Sequence, residues 1–125
     1  MPLSADIIET LRLELRRGTL ILAVLGALRG EKYGYTLRAE LADQGVEIDE
    51  GALYPMLRRL EAQGLLTSEW REDAKRQKRF YRLSVDGAEA LAQLAGEWRA
   101  MNRALEQILE PPSGGRKTAG LKEAG

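Results

Sequence analysis

Residues 49–83 read DEGALYPMLRRLEAQGLLTSEWREDAKRQKRFYRL, and this stretch decides the fold. Its first part has helical periodicity. At 100° per residue, Leu53, Met56, Leu57 and Leu60 fall on one side, while Gly51, Pro55, Arg58 and Ala62 fall on the other. Tyr54 and Arg59 flank that outer face. Asp49 suits the N-cap, and Gly64 closes the helix. Pro55 conflicts with a regular helix, since an interior proline costs about 3 kcal/mol. Either the first turn is distorted or regular helix begins later than Asp49. The second part, LLTSEWR and KRFYRLS around the polar turn EDAKRQ, has the aromatic and apolar alternation of a β-hairpin. Trp70 is expected to anchor its base, with Phe80 and Leu83 packed beneath it.

The flanking segments read as helices. Upstream, TLRAELADQG predicts a helix ending at Gly45, preceded by a turn, EKYGY, with Gly34 as breaker. Before that, Ser4 caps a helix carrying Ile7, Ile8, Leu11 and Leu15, and Gly18 is expected to stop it. Thr19 then starts a second helix, LILAVLGAL, apolar all round and so expected to be buried. Downstream, Ser84 caps a long last helix to about Leu109. The Pro- and Gly-rich tail is expected to be disordered. The predicted fold is mainly α with a small β-hairpin: a winged helix-turn-helix over 1–83, a dimerisation helix over 84–110 and a tail over 111–125.

Composition narrows the function. The 125 residues include no histidine and no cysteine. The commonest general base, the commonest metal ligand and the thiolate nucleophile are therefore missing, which argues against an enzyme. No metal or cofactor is expected. No apolar run approaches the ~20 residues of a membrane span, and no signal peptide is evident, so a cytoplasmic protein is expected. Net charge is zero, but residues 71–82 carry six basic and two acidic side chains. Lys75, Arg76, Lys78 and Arg79 thus lie in or beside a protruding hairpin, where cations suit a phosphate backbone. Edge-strand protection needs only a couple of charges. On the helix, Arg58 and Arg59 offer guanidinium groups for guanine edges or phosphates, beside small groups that let a helix enter a major groove.

GALYPMLRRLEAQGLLTSEW and RFYRLSVDGAEAL, with YGYTL upstream, resemble the PadR family of bacterial transcriptional regulators. The shared features are Leu-Tyr-Pro in the recognition helix, a Leu-Glu pair, a Gly-Leu turn, a tryptophan in the first wing strand and a Tyr-x-Leu-Ser-x-x-Gly lead-in to the last helix. The resemblance spans roughly residues 15–109. It implies a homodimeric repressor of double-stranded DNA with a palindromic operator, released by a small aromatic effector. By position it implies DNA contacts from Tyr35, Gly51, Tyr54, Pro55, Arg58 and the wing cations. Asp49 and Glu50 depart from the family's commoner small-polar or proline lead-in. The single C-terminal helix resembles the family's smaller subgroup, in some members of which paired tryptophans frame an aromatic pocket on the dimer axis; Trp98 occupies the matching place.

Leu91, Leu94, Trp98, Met101, Leu105 and Ile108 are spaced 3, 4, 3, 4 and 3 apart, an a/d seam in its own right. Under three heptads are too few to associate alone, so Leu11 and Leu15 of the first helix are expected to complete a dimer interface. Trp98 is either the largest packing residue of that seam or, with Met101 and Leu94, a platform for a flat ligand. A different class of function, a winged helix whose basic hairpin binds an acidic protein partner, also fits these features; salt-dependent duplex binding separates the two.

Overall fold

The structure, a computed structural model, describes residues 3–111; the tail expected to be disordered lies outside the described residues from 112 onward. The elements run α1 (Ala5–Ala27), β1 (Lys32–Tyr33), α2 (Gly34–Asp43), α3 (Glu50–Ala62), β2 (Leu66–Asp73), β3 (Arg76–Leu83) and α4 (Val85–Leu109). The mainly helical architecture with a small antiparallel sheet agrees with the expected winged helix-turn-helix. No helix among the described residues is long and apolar enough to cross a membrane. The chain divides into two compact units, one ending at Ala95 and one beginning at Gly96, so the break falls inside α4.

The core of the first unit lies where three helices meet the sheet. Val24, Leu25 and Leu28 at the end of α1 pack with Leu37 and Leu41 of α2, the four apolar residues of α3, Leu66 and Tyr81. The buried stripe of α3 is the one its periodicity predicts. Asp49 caps it, its carboxylate accepting from the Ala52 amide at 2.8 Å. Gly45 and Gly64, both at positive φ, close α2 and α3; in each case the next residue's amide reaches back to the last turn, Val46 to Leu41 and Leu65 to Leu60.

Five local expectations are corrected. First, Gly18 does not end a helix: α1 is continuous over 23 residues. An interior glycine costs only about 1 kcal/mol, less than the hydrogen bonds and the burial of Val24 and Leu25 that continuation keeps. The segment expected to be buried all round is so only on that side, with Leu20, Ile21 and Leu22 partly exposed. Second, Gly34 is no breaker. Lys32 and Tyr33 form a third strand paired with Tyr81 and Phe80, and Gly34 is the first residue of α2. A side chain there would collide with Tyr54, since a Cβ would stand 2.2 Å from its hydroxyl oxygen. Third, Pro55 does not delay the helix: α3 starts at Glu50, directly after the expected Asp49 cap, and runs through Pro55. Both Pro55 and Gly51, whose carbonyl loses its helical donor, are exposed, so water takes that bond. Fourth, the hairpin turn is only Ala74-Lys75, and the strands pair from Leu66↔Leu83 out to Asp73↔Arg76. Both turn residues are left-handed, at φ 53° and 65°, as a two-residue primed turn requires. Fifth, Trp70 does not anchor the wing: it is 61% exposed. Tyr81 fills that place, 4% exposed, and Leu83 packs beside it. Phe80 points to the opposite face, edge-on to Tyr33 with the Arg71 guanidinium 4.0 Å above it.

The apolar face of α1 before Gly18 is open to solvent, with Ile7, Leu11 and Leu15 all more than half exposed. Along α4, Leu94, Trp98, Met101, Leu105 and Ile108 are exposed as well. Leu91, placed in that seam by its spacing, is half-buried and packs on the core of its own chain.

Candidate nucleic-acid interface

Arg38 holds the two helices of the α2–α3 pair together. From α2 it donates through Nε to the Ile48 carbonyl at 3.2 Å and through Nη1 to Glu50 at 3.1 Å. That tie fixes the turn between the helices and turns the outer side of α3 to solvent. Gly51, Pro55, Arg58, Arg59 and Ala62 are all exposed there. The Arg58 and Arg59 side chains make no ion pair among the described residues. Tyr35, at the start of α2, is 67% exposed. Tyr54 is half-buried instead, with its ring packed over Gly34 and against the core.

The wing stands beside this face. Lys75 and Arg76 at its tip are exposed and make no ion pair among the described residues. The other two cations expected at the tip are already engaged. Lys78 binds Asp73 at 3.0 Å and lies 3.3 Å from the Tyr33 hydroxyl, over the Tyr33 ring. The Asp73 carboxylate, then the Tyr33 hydroxyl, holds the Lys78 ammonium above its ordinary pKa, so it stays charged through the neutral range. Arg79 turns toward α3 and pairs with Glu61 at 2.9 Å. Burial likewise pushes the Tyr81 phenol up, with the Arg79 charge opposing, so it remains neutral.

Between α3 and the wing lies a cleft of about 350 Å³, walled by Tyr54, Arg58, Trp70, Gln77, Lys78 and Arg79 among others, with no carboxylate in its lining. The surface therefore combines an outward helix face, a basic tip and an acid-free cleft on a single unit. Such a surface can take up phosphates at the tip and base edges along α3. All the DNA-contact residues expected from the sequence lie in this unit. Sequence reasoning misses Glu61, Ser68 and Tyr33. The register reveals Ser68, because a turn at Ala74-Lys75 sets Ser68 opposite Tyr81 and Trp70 opposite Arg79 on one face. Glu61 emerges from the approach of α3 to that face, and Tyr33 from the pairing of β1 with β3. Without an Asn-Gly pair, the turn carries no sharp signal.

Residues 21–93 match the model of a family described as the transcriptional regulator PadR-like family. The chain is 38% identical over 109 residues to the transcriptional regulator Rv3488 of Mycobacterium tuberculosis, covering 86% of this chain and 95% of that protein. Among solved structures it resembles a PadR family transcriptional regulator from Eggerthella lenta, with a TM-score of 0.78 and 41% identity over 86% of this chain and 96% of the other. A transcriptional regulator from Clostridium thermocellum gives a TM-score of 0.70 at 25% identity, covering 78% of this chain and 99% of the other. The sequence, the helix-turn-helix and the wing thus agree with proteins named as regulators of transcription rather than as enzymes.

Proposed function

The chain belongs to the PadR-like family of transcriptional regulators, and on that premise we propose that it is a homodimeric, sequence-specific DNA-binding repressor. In this reading α3 is the recognition helix and the hairpin is a wing that grips phosphates. The observation that carries it is an exposed Arg58 on α3 together with an exposed Lys75-Arg76 tip on the same unit, none of them ion-paired among the described residues. The exposed apolar residues of α1 and α4 support a twofold dimer, and a dimer presents two recognition helices to a palindromic operator.

Salt titration of DNA binding tests the reading, using random-sequence duplex and a duplex that the protein itself enriches from a random library. Lys75→Ala with Arg76→Ala should weaken both complexes alike and flatten the slope of log K against log salt by about 0.9 for each phosphate no longer neutralised. Arg58→Ala should cost about 1–3 kcal/mol chiefly on the enriched duplex, as removal of a bidentate bond to a base does. An unchanged slope in the double variant removes the wing from the interface. No duplex binding at any salt leaves the acidic protein partner as the better reading.

Release by a small aromatic effector is the finer part of the proposal, with Trp98 at its centre and Met101 and Leu94 beside it. Trp98 is 45% and Met101 61% exposed on one chain, so symmetry would bring two indoles near a dyad. A flat guest held between them would favour one spacing of the recognition helices over another. Trp98→Ala should then abolish the ligand response and leave operator affinity largely intact. The check is Trp98 emission in a Trp70→Phe background, titrated with phenolic acids and planar cations. No change at millimolar ligand assigns Trp98 to packing.

A further inference from the structure

Arg79 does not behave like Lys75 and Arg76 at the wing tip. Its Nη2 donates to Glu61 Oε1 at 2.9 Å and its Nε donates to the Ser68 hydroxyl at 2.9 Å. That hydroxyl in turn donates to the second Glu61 oxygen at 2.7 Å. The three side chains close a ring, and each comes from a different element: the last turns of α3, then β2, then β3. The guanidinium also lies 5.7 Å from the Trp70 ring and 5.5 Å from the Tyr81 ring, within reach of both π faces. Only about a third of either charged side chain is exposed.

We propose that Glu61, Ser68 and Arg79 form a brace that sets the angle of the wing against α3, making Arg79 a positioning residue for DNA reading and not a phosphate contact. This rests on the DNA-binding reading above. The base of the hairpin is held by Leu66 and Tyr81 in the core and by β1, but its outer part can still tilt about that base. A closed ring of three hydrogen bonds resists tilting: the Arg79–Ser68 bond locks the two donors together within the hairpin, and any tilt against α3 strains both bonds to Glu61. Pulling Arg79 away to a phosphate would leave the shielded Glu61 carboxylate with only the Ser68 hydroxyl and no countercharge, which costs more than an exposed cation gains. The brace also neutralises Glu61, one helical turn from Arg58, on the side where a polyanion would approach. Lys75 and Arg76 have no such ion pair among the described residues, so the wing divides into a tip that touches and a base that aims.

The decisive variant is Glu61→Gln. It removes a negative charge, so by electrostatics alone it should tighten binding to a polyanion. A brace predicts the opposite: about a tenfold loss on the library-enriched duplex, from weakened hydrogen bonds that held the wing. Arg79→Ala should lose a similar factor with the salt slope unchanged, whereas a phosphate-binding role would flatten it by about 0.9. Exchanging the pair, Glu61→Arg with Arg79→Glu, should recover part of the affinity. The milder Ser68→Ala keeps every charge and should show a smaller loss, guarding against variants that fail to fold. Acrylamide quenching of Trp70 in a Trp98→Phe background reads wing mobility without DNA and should rise in each single variant. Tighter binding by Glu61→Gln, or a flattened slope for Arg79→Ala, makes Arg79 bind DNA directly and overturns the brace. If the unmodified chain binds no duplex, the DNA-binding reading falls first, and the positioning role with it.

Discussion

Leu94→Glu combined with Leu105→Glu should convert the protein from dimer to monomer, or unfold it, and abolish operator binding. The two leucines are 40% and 44% exposed on one chain, between Trp98 at 45%, Met101 at 61% and Ile108 at 72%. Covering such half-exposed side chains is worth about 1 kcal/mol each, and five from each of two protomers give on the order of 10 kcal/mol. Association itself costs about 4–15 kcal/mol in reduced freedom of motion. The α4 seam therefore only about balances that cost, so the proposed dimer also calls on the exposed Ile7, Leu11 and Leu15 of α1. Two glutamates per chain replace four apolar side chains across the dimer and place four like charges in a shared, poorly solvated seam. Sedimentation velocity at micromolar concentration reads the assembly state, and circular dichroism separates a folded monomer from an unfolded chain. An unmodified protein that sediments as a monomer under those conditions defeats the dimer.

The second large effect concerns Gly87, at the start of α4. A Cβ there would stand 2.0 Å from the Leu65 carbonyl oxygen and 3.1 Å from Leu83 Cδ2. The Leu65 carbonyl cannot move aside cheaply, because it accepts the Ser84 amide at 3.0 Å. The Ser84 hydroxyl in turn accepts the Gly87 amide at 2.9 Å and donates to the Gly64 carbonyl at 2.6 Å. Gly87→Ala must therefore push α4 off the turn between α3 and β2 and break this set of bonds together. A destabilisation of about 3 kcal/mol or more is expected, the upper end of overpacking, because the obstacle is backbone. For a domain of this size each kcal/mol lowers Tm by roughly 4–8 °C. Gly96→Ala is the control. It lies in the same helix with nothing within 4 Å of a Cβ, so it should stabilise by about 0.5–1 kcal/mol. Thermal melts of the two variants should move in opposite directions; a Gly87→Ala melt equal to wild type would refute the close approach.

Much of this protein is legible in its residues alone. The period of Leu53, Met56, Leu57 and Leu60, the Asp49 and Ser84 caps and the closing Gly64 depend on neighbours within a turn or two. Local chemistry suffices for such features, and α3 and α4 begin where it says. The outward face of α3 follows from the same period, since a helix that buries one side must show the other. Of the residues that the 3-4 spacing picks out along α4, Leu94, Trp98, Met101, Leu105 and Ile108 are exposed on one chain, whereas Leu91 is claimed by its own core.

What only the tertiary structure decided involves partners far apart in sequence. Gly18 reads as a stop in isolation, yet the core at the end of α1 stabilises the helix enough to carry it through. Gly34 reads as a breaker until the Tyr54 ring, twenty residues on, is found in the space its side chain would fill. Two residues of β1 carry no strand signal of their own and pair only because β3 offers an edge. Above all, Arg79 and Lys78 count as wing cations by composition, but Glu61 and Asp73 already hold them. A sum over residues 71–82 registers their charge and not its direction. Which cations remain for DNA depends on strand register and on the approach of α3 to the wing, and the closing of long-range contacts sets both.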